Sequence, residues 1–201
     1  MKLSYILESV DLGTIALPEF QRGYVWSREQ VRGLMQSLYR RYPVGGLLLW
    51  QTRVGTTATR GNPAPEGGTV TLLLDGQQRI TSLYGIVRGG PPEFFDGNRN
   101  VFTGLHLNVE EETFEFYRPS KMSGRAEWVD VTRLMQTELD PWIEQLQDRP
   151  QLATLVKRLS RLKDVVDYDF PVESVSGEDK SQGRGRHLQP RELAGDEALE
   201  R

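Results

Sequence analysis

Apolar positions along the chain fall into two rhythms. Spacings of three and four mark one face of a helix; alternation, or a short unbroken apolar run, marks a strand. Leu3, Ile6, Leu7 and Val10 predict a short helix over 2–10. A strand is predicted at 15–17, closed by Pro18. Val31, Leu34, Met35, Leu38 and Tyr39 predict a second helix, opened by the capping box of Ser27 and Gln30 and ended before Pro43. After Gly45-Gly46 the run 47–50 predicts a buried strand. Another covers 70–74 and stops at Asp75-Gly76; from Gln77 onward Ile80, Leu83, Tyr84 and Val87 follow the helical period. The middle of the chain is therefore a strand, a tight turn at Gly76 and a helix.

Further on, 105–109 and 113–117 alternate apolar and polar residues around Glu110 to Glu112, the pattern of a β-hairpin. Helices are predicted at 129–135 and 141–162, the second broken at Pro150. Residues 53–68 are rich in Gly, Thr and Pro and read as a mobile surface loop. From Glu173 the chain is polar and reads as a tail, disordered or weakly docked, which gives a domain at 1–172 and a tail at 173–201. The expected class is α+β, with a small mixed sheet and a helical C-terminal part.

Composition narrows the chemistry. The 201 residues suit one domain plus a tail. Net charge is −3, so global charge does not point to nucleic acid and local basic clusters must carry any such reading. The absence of cysteine removes disulfides, thiolate metal sites and a cysteine nucleophile. His106 and His187 lack ligand spacing, so no metal site is expected from them. No apolar run reaches membrane-spanning length and no signal-peptide core follows Met1, so the expectation is a soluble, cytoplasmic protein.

The candidate chemistry lies at Asp75-Gly76-Gln77-Gln78-Arg79. The first turn of a helix has N–H groups without internal partners and sits at the positive end of the dipole, which suits an anion such as phosphate. Gly76 permits close approach of a ligand to the backbone. Arg79 offers a bidentate grip on phosphate. Asp75 would orient Arg79 or hold a nucleotide's metal ion through water. A plain glycine turn with solvated Gln and Arg side chains fits the same residues. Tyr24 and Trp26 offer a stacking face, although aromatics in a loop pinned by Pro18 and Gly23 more often pack into the core. Arg28, Arg32, Arg40 and Arg41 read as a basic face for DNA or as a solvated helix face.

Two separated motifs coincide: Pro18-Glu19-Phe20-Gln21-Arg22-Gly23-Tyr24-Val25-Trp26, and Asp75-Gly76-Gln77-Gln78-Arg79-Ile80-Thr81-Ser82-Leu83, with Tyr42-Pro43-Val44-Gly45-Gly46 between them. This resembles the N-terminal domain of the GmrSD-type restriction endonucleases, a ParB-like and sulfiredoxin-like family. The resemblance is specific from about Ile15 to Val87. It implies a ParB-like domain that binds, and in some members hydrolyses, a nucleoside triphosphate with Mg2+. In full-length relatives such a domain regulates an HNH nuclease in defence against modified foreign DNA. By the same resemblance Gly76, Gln77, Gln78 and Arg79 line the phosphate site, Gln21, Arg22 and Tyr24 form the facing wall, and Thr81 adds a hydroxyl. Asp75 or Gln78 would position a water for hydrolysis, with Arg79 stabilising the developing charge. The competing readings are a non-enzymatic DNA-binding or interaction module, and a non-functional fragment.

The end of the chain departs from the family pattern. After the counterpart of Phe170-Pro171-Val172 the family continues into a helix with an F-N-R-V-N-like motif, whereas 183–201 reads GRGRHLQPRELAGDEALER. Codons permitted by these residues, read one nucleotide out of frame, spell AVVDIFNRVNSRGTKLSN. The expectation is a truncated member whose out-of-frame tail begins between Val175 and Gly183, without the HNH nuclease. A coding sequence that does not yield this second reading would overturn it.

Overall fold

A computed structural model describes residues 1–18, 23–53, 59–60, 68–92, 95 and 97–176. Among the described residues eight strands form two sheets. The larger sheet contains β1 (Ile15–Pro18), β2 (Leu47–Arg53), β3 (Thr59–Arg60), β4 (Thr69–Asp75) and β8 (Val172–Ser176), in the order β3-β1-β4-β2-β8. It is mixed: β1 runs parallel to β4 and β8 parallel to β2, while β2 is antiparallel to β4 and β3 to β1. The smaller, antiparallel sheet has the order β6-β5-β7, from β5 (Leu105–Asn108), β6 (Thr113–Phe116) and β7 (Trp128–Asp130). The helices are α1 (Leu3–Asp11), α2 (Arg28–Tyr39), α3 (Gln77–Arg88), the single turn α4 (Pro119–Met122), α5 (Val131–Gln136), α6 (Asp140–Leu146) and α7 (Leu152–Lys163). The class is α+β, as expected.

The helix periodicities translate directly into burial. All five apolar positions assigned to one face of α2 are buried. Its start is the expected reciprocal cap: Ser27 Oγ accepts the Gln30 N–H, and Gln30 Oε1 accepts the Ser27 N–H at 2.9 Å. In α3 the apolar stripe runs through Ile80, Leu83, Ile86 and Val87. One continuous core joins α1, α2 and α3 to the smaller sheet and to α5, α6 and α7. The break expected at Pro150 separates α6 from α7.

Three expectations are corrected. Val129 and Asp130 are strand rather than helix: they pair with β5, and only then does the Asp130 carboxylate accept the Arg133 N–H and open α5. A short apolar run carries both signals, and the free edge of β5 decides between them. Thr59 and Arg60, placed in the loop 53–68, pair with Pro18 and Leu17. A two-residue strand held by backbone bonds needs no apolar pattern. The remainder of that loop, except for Arg53 in β2 and Gly68, lies outside the described residues. Lastly, the boundary at 172 falls inside β8. Glu173, Ser174, Val175 and Ser176 continue the sheet beside Leu48 to Gln51, with largely exposed side chains. An edge strand gains its place through backbone pairing, so its polar composition resembled a tail. Residues 177–201 lie outside the described residues.

Candidate functional site at the start of α3

β4 ends at Asp75 and α3 begins at Gln77, so Gly76 makes the whole corner. Its φ is +96°, in the left-handed region where a side chain is strained. A Cβ there would also come within 2.2 Å of Leu47 Cδ2. The corner therefore depends on glycine twice over. Gly76, the cap residue of α3, has no side chain to bond the first turn. The first bond of the helix is Ile80 N–H to the Gly76 carbonyl, at 3.0 Å. The N–H groups of Gln77, Gln78 and Arg79 precede that bond, at the positive end of the dipole.

The Arg79 guanidinium lies against this corner, and its side chain is 14% exposed. Nη1 donates to the Val44 carbonyl at 2.5 Å, and Nη2 donates to the Gly46 carbonyl at 2.7 Å and to Asp75 Oδ2 at 3.1 Å. Gly45 sits between those carbonyls at φ +85°, where a Cβ would meet Nη1 at 2.6 Å. Arg79 thus holds the segment leading into β2. Gln78 does the same for the segment before α2: its Oε1 accepts the Val25 N–H at 2.9 Å, and its Nε2 donates to the Gly23 carbonyl at 3.2 Å. Asp75 is paired with Arg79, yet its side chain stays 74% exposed.

Tyr24 packs edge-on against Phe102 and tilted against Phe95, with ring centroids 5.2 and 5.3 Å away. Its hydroxyl is 2.7 Å from Ser82 Oγ, which in turn donates to the Gln78 carbonyl at 2.6 Å. Burial pushes the Tyr24 phenol up to about 12. The packing alternative for Tyr24 is the one its contacts match. Thr81 is buried, among Ile15, Leu17 and Ile80 on the core face of α3. Gln21 and Arg22 lie outside the described residues.

The basic face predicted on α2 divides into two. Arg28 donates to the Asn100 carbonyl at 2.9 and 3.1 Å and stacks over Phe116, while Arg32 pairs with Glu29 at 2.5 Å. Arg40 and Arg41 stand at the other end of the helix, about 18 Å further along the axis. No helix among the described residues is long and apolar enough to cross a membrane.

Comparison with known proteins places the chain in a family. The model of the GmrSD restriction endonuclease N-terminal domain matches residues 3–184, spanning both motifs, the two sheets and every helix above. The chain belongs to that family. It is also similar to an uncharacterised protein of Methanocaldococcus jannaschii, 37% identical over 87 aligned positions that cover 36% of this chain and 14% of that one. The chain thus matches only a small part of that relative's length.

Within this GmrSD-type domain, the partners that sequence reading missed are backbone groups: the carbonyls of Gly23, Val44 and Gly46 and the N–H of Val25. Backbone partners leave no side-chain signature. Gly45, where a Cβ would collide with Arg79, was the available signal. Ser82 links Tyr24 to Gln78, and a serine within a helical stretch gives no sequence signal of such a bridge.

Proposed function

We propose that this chain is the nucleotide-responsive N-terminal domain of a DNA-restriction and phage-defence system, and that it receives the phosphates of a nucleoside triphosphate at the start of α3. The observation that carries this reading is the uncapped, glycine-turned N-terminus of α3 with the Arg79 guanidinium beside it. The donor set fits a phosphate: backbone N–H groups of the first turn, the half-buried Gln77 amide and one guanidinium.

In this reading the motif divides its work. Gln77 and the first-turn amides contact phosphate. Gln78 and Arg79 are positioning residues that hold the two flanking segments as walls. Arg79 adds positive charge at the mouth while keeping its grip on Val44 and Gly46. Among the described residues no group of three or more side chains is arranged to hold a metal. A magnesium ion would therefore arrive on the phosphates, with Asp75 reaching it through water. Bound there, it would neutralise phosphate charge. Asp75, the motif side chain most open to solvent, is also the best placed of Asp75, Gln78 and Arg79 to order an attacking water should the site hydrolyse its ligand.

The test is a thermal-shift titration of the full chain with each ribonucleoside triphosphate and magnesium. A ligand at a hundredfold excess over its Kd stabilises by about 2.7 kcal/mol. Gln77→Glu is the matched variant. It is isosteric, and a carboxylate suits a helix N-terminus, so the unliganded fold should melt at or above the wild-type temperature. The added negative charge should abolish the nucleotide response. Equal responses from both proteins would place the ligand elsewhere. No response from the wild type would remove the nucleotide reading.

A further inference from the structure

A second basic feature lies away from the α3 corner. The C-terminal end of α2 and the outer face of α7 enclose an open groove of about 570 Å³. Arg40 and Arg41 enter it from α2, and Lys157 and Arg161 from α7, against the single carboxylate of Asp164. Lys157 and Arg161 are four residues apart, so two like charges stack on one helix face, which is unfavourable in isolation. The nearby Glu112 offsets only part of this charge, because it is shared between Arg161 at 2.8 Å and Arg158 at 3.3 Å and also accepts the Tyr39 hydroxyl at 2.8 Å. Among the described residues the side chains of Arg40, Arg41 and Lys157 have no hydrogen-bond or ion-pair partner.

The backbone adds an independent observation. Helix α2 ends with Tyr42 N–H bonded to the Ser37 carbonyl at 2.8 Å and Arg41 N–H to the Leu38 carbonyl at 2.9 Å. This double closure puts its central residue in the left-handed region, where glycine is the usual occupant. Here that residue is Arg41, at φ +58°. A long cation thus stands at a position that disfavours any side chain, lining the groove beside Arg40 and Lys157, and its charge is held there at a cost to the fold.

We propose that this groove holds the sugar–phosphate backbone of duplex DNA. A closed, hydrogen-bonded pocket would suit a small anion. An open groove lined by four long, unpaired or partly paired cations suits a polyanion whose charges repeat. Beyond Arg161 the surface carries Asp164, Asp167 and Asp169, two of them already paired, Asp167 with Lys2 at 2.8 Å and Asp169 with the N-terminal amine at 3.7 Å, so the free positive charge lies over α2 and α7. DNA as partner rather than another polyanion agrees with membership of a restriction-endonuclease family. The contact is with backbone phosphate and carries no base readout. It stands apart from the nucleotide reading, and DNA binding without nucleotide tests it alone.

The experiment is fluorescence anisotropy of the full chain with a random-sequence duplex, without nucleotide, from 50 to 200 mM salt. The groove variant is Arg41→Gly/Lys157→Gln, and the control is Arg28→Gln/Arg32→Gln. Wild type should lose affinity at least about tenfold across that range. The groove variant should bind about tenfold more weakly at mid-range salt, with the log–log salt slope reduced by about 1.8, the value for two lost phosphate contacts. The control should stay within about twofold of wild type. Unliganded Arg41→Gly alone should melt about 2–4 °C above wild type, because glycine relaxes the left-handed position. Absence of DNA binding at 50 mM salt would overturn the proposal, as would a groove variant that binds like wild type. So would a control weakened as much as the groove variant, binding of an acidic peptide without binding of DNA, or an Arg41→Gly melting temperature below that of wild type.

Discussion

The α3 corner and the α2–α7 groove use positive charge in opposite ways. At the corner the conspicuous polar residues are consumed by the fold. Arg79 is wrapped around two backbone carbonyls and Gln78 is bonded to a third carbonyl and an N–H, so both act by shaping the surroundings. In the groove the cations look like an ordinary solvated helix face, yet three of them lack partners among the described residues and one is held in a strained backbone. A motif that reads as a ligand grip can be a frame, and a face that reads as bland can carry the exposed charge. The difference lies in whether backbone groups stand within reach, which sequence does not display.

Substitutions sharpen this contrast, beginning with the corner itself. Gly76→Ala should have the largest effect, about 2–5 kcal/mol or failure to fold, since it combines a left-handed backbone with collision against Leu47. Urea denaturation measures it; a loss below about 1 kcal/mol would mean that the corner relaxes easily. Arg79→Ala should cost about 2–4 kcal/mol, because it removes charge-assisted bonds and leaves the Val44 and Gly46 carbonyls unpaired. A near-neutral result would make Arg79 a free ligand residue after all. Gln78→Ala should cost about 1–2 kcal/mol and quicken proteolysis around residues 23–25, the segment it ties down. Asp75→Asn should cost less than about 1 kcal/mol despite its pairing with Arg79, because its carboxylate is largely in water. If Asp75→Asn matched Arg79→Ala, the ion pair rather than the carbonyl grip would be holding the corner.

Much of the fold was legible in residue spacing. The faces of α2 and α3, the Ser27–Gln30 cap, the hairpin of β5 and β6 and the break at Pro150 all follow from local patterns that packing reinforces. The strands that escaped notice, β3, β7 and β8, owe their places to a neighbouring strand edge more than to their own residues. The site was legible to a similar depth. Gly76 and the start of α3 were visible as a strand-to-helix corner. The engagement of Gln78 and Arg79 with backbone was not, and neither was the joining of Arg40 and Arg41 with Lys157 and Arg161 across more than a hundred residues of chain. Arg28 and Arg32 were grouped with Arg40 and Arg41 because they share a helix. Their partners, Asn100, Phe116 and Glu29, separate them.

The central claim is that phosphates enter at the first turn of α3 while the α2–α7 groove serves a different ligand. Amide NMR of the full labelled chain tests it most directly. Titration with a nucleoside triphosphate and magnesium should move the amides of Gly76, Gln77 and Gln78 and leave Lys157 and Arg161 in place; duplex DNA should do the reverse. A triphosphate that moves the groove amides, or leaves the first turn of α3 untouched at saturation, would contradict the account.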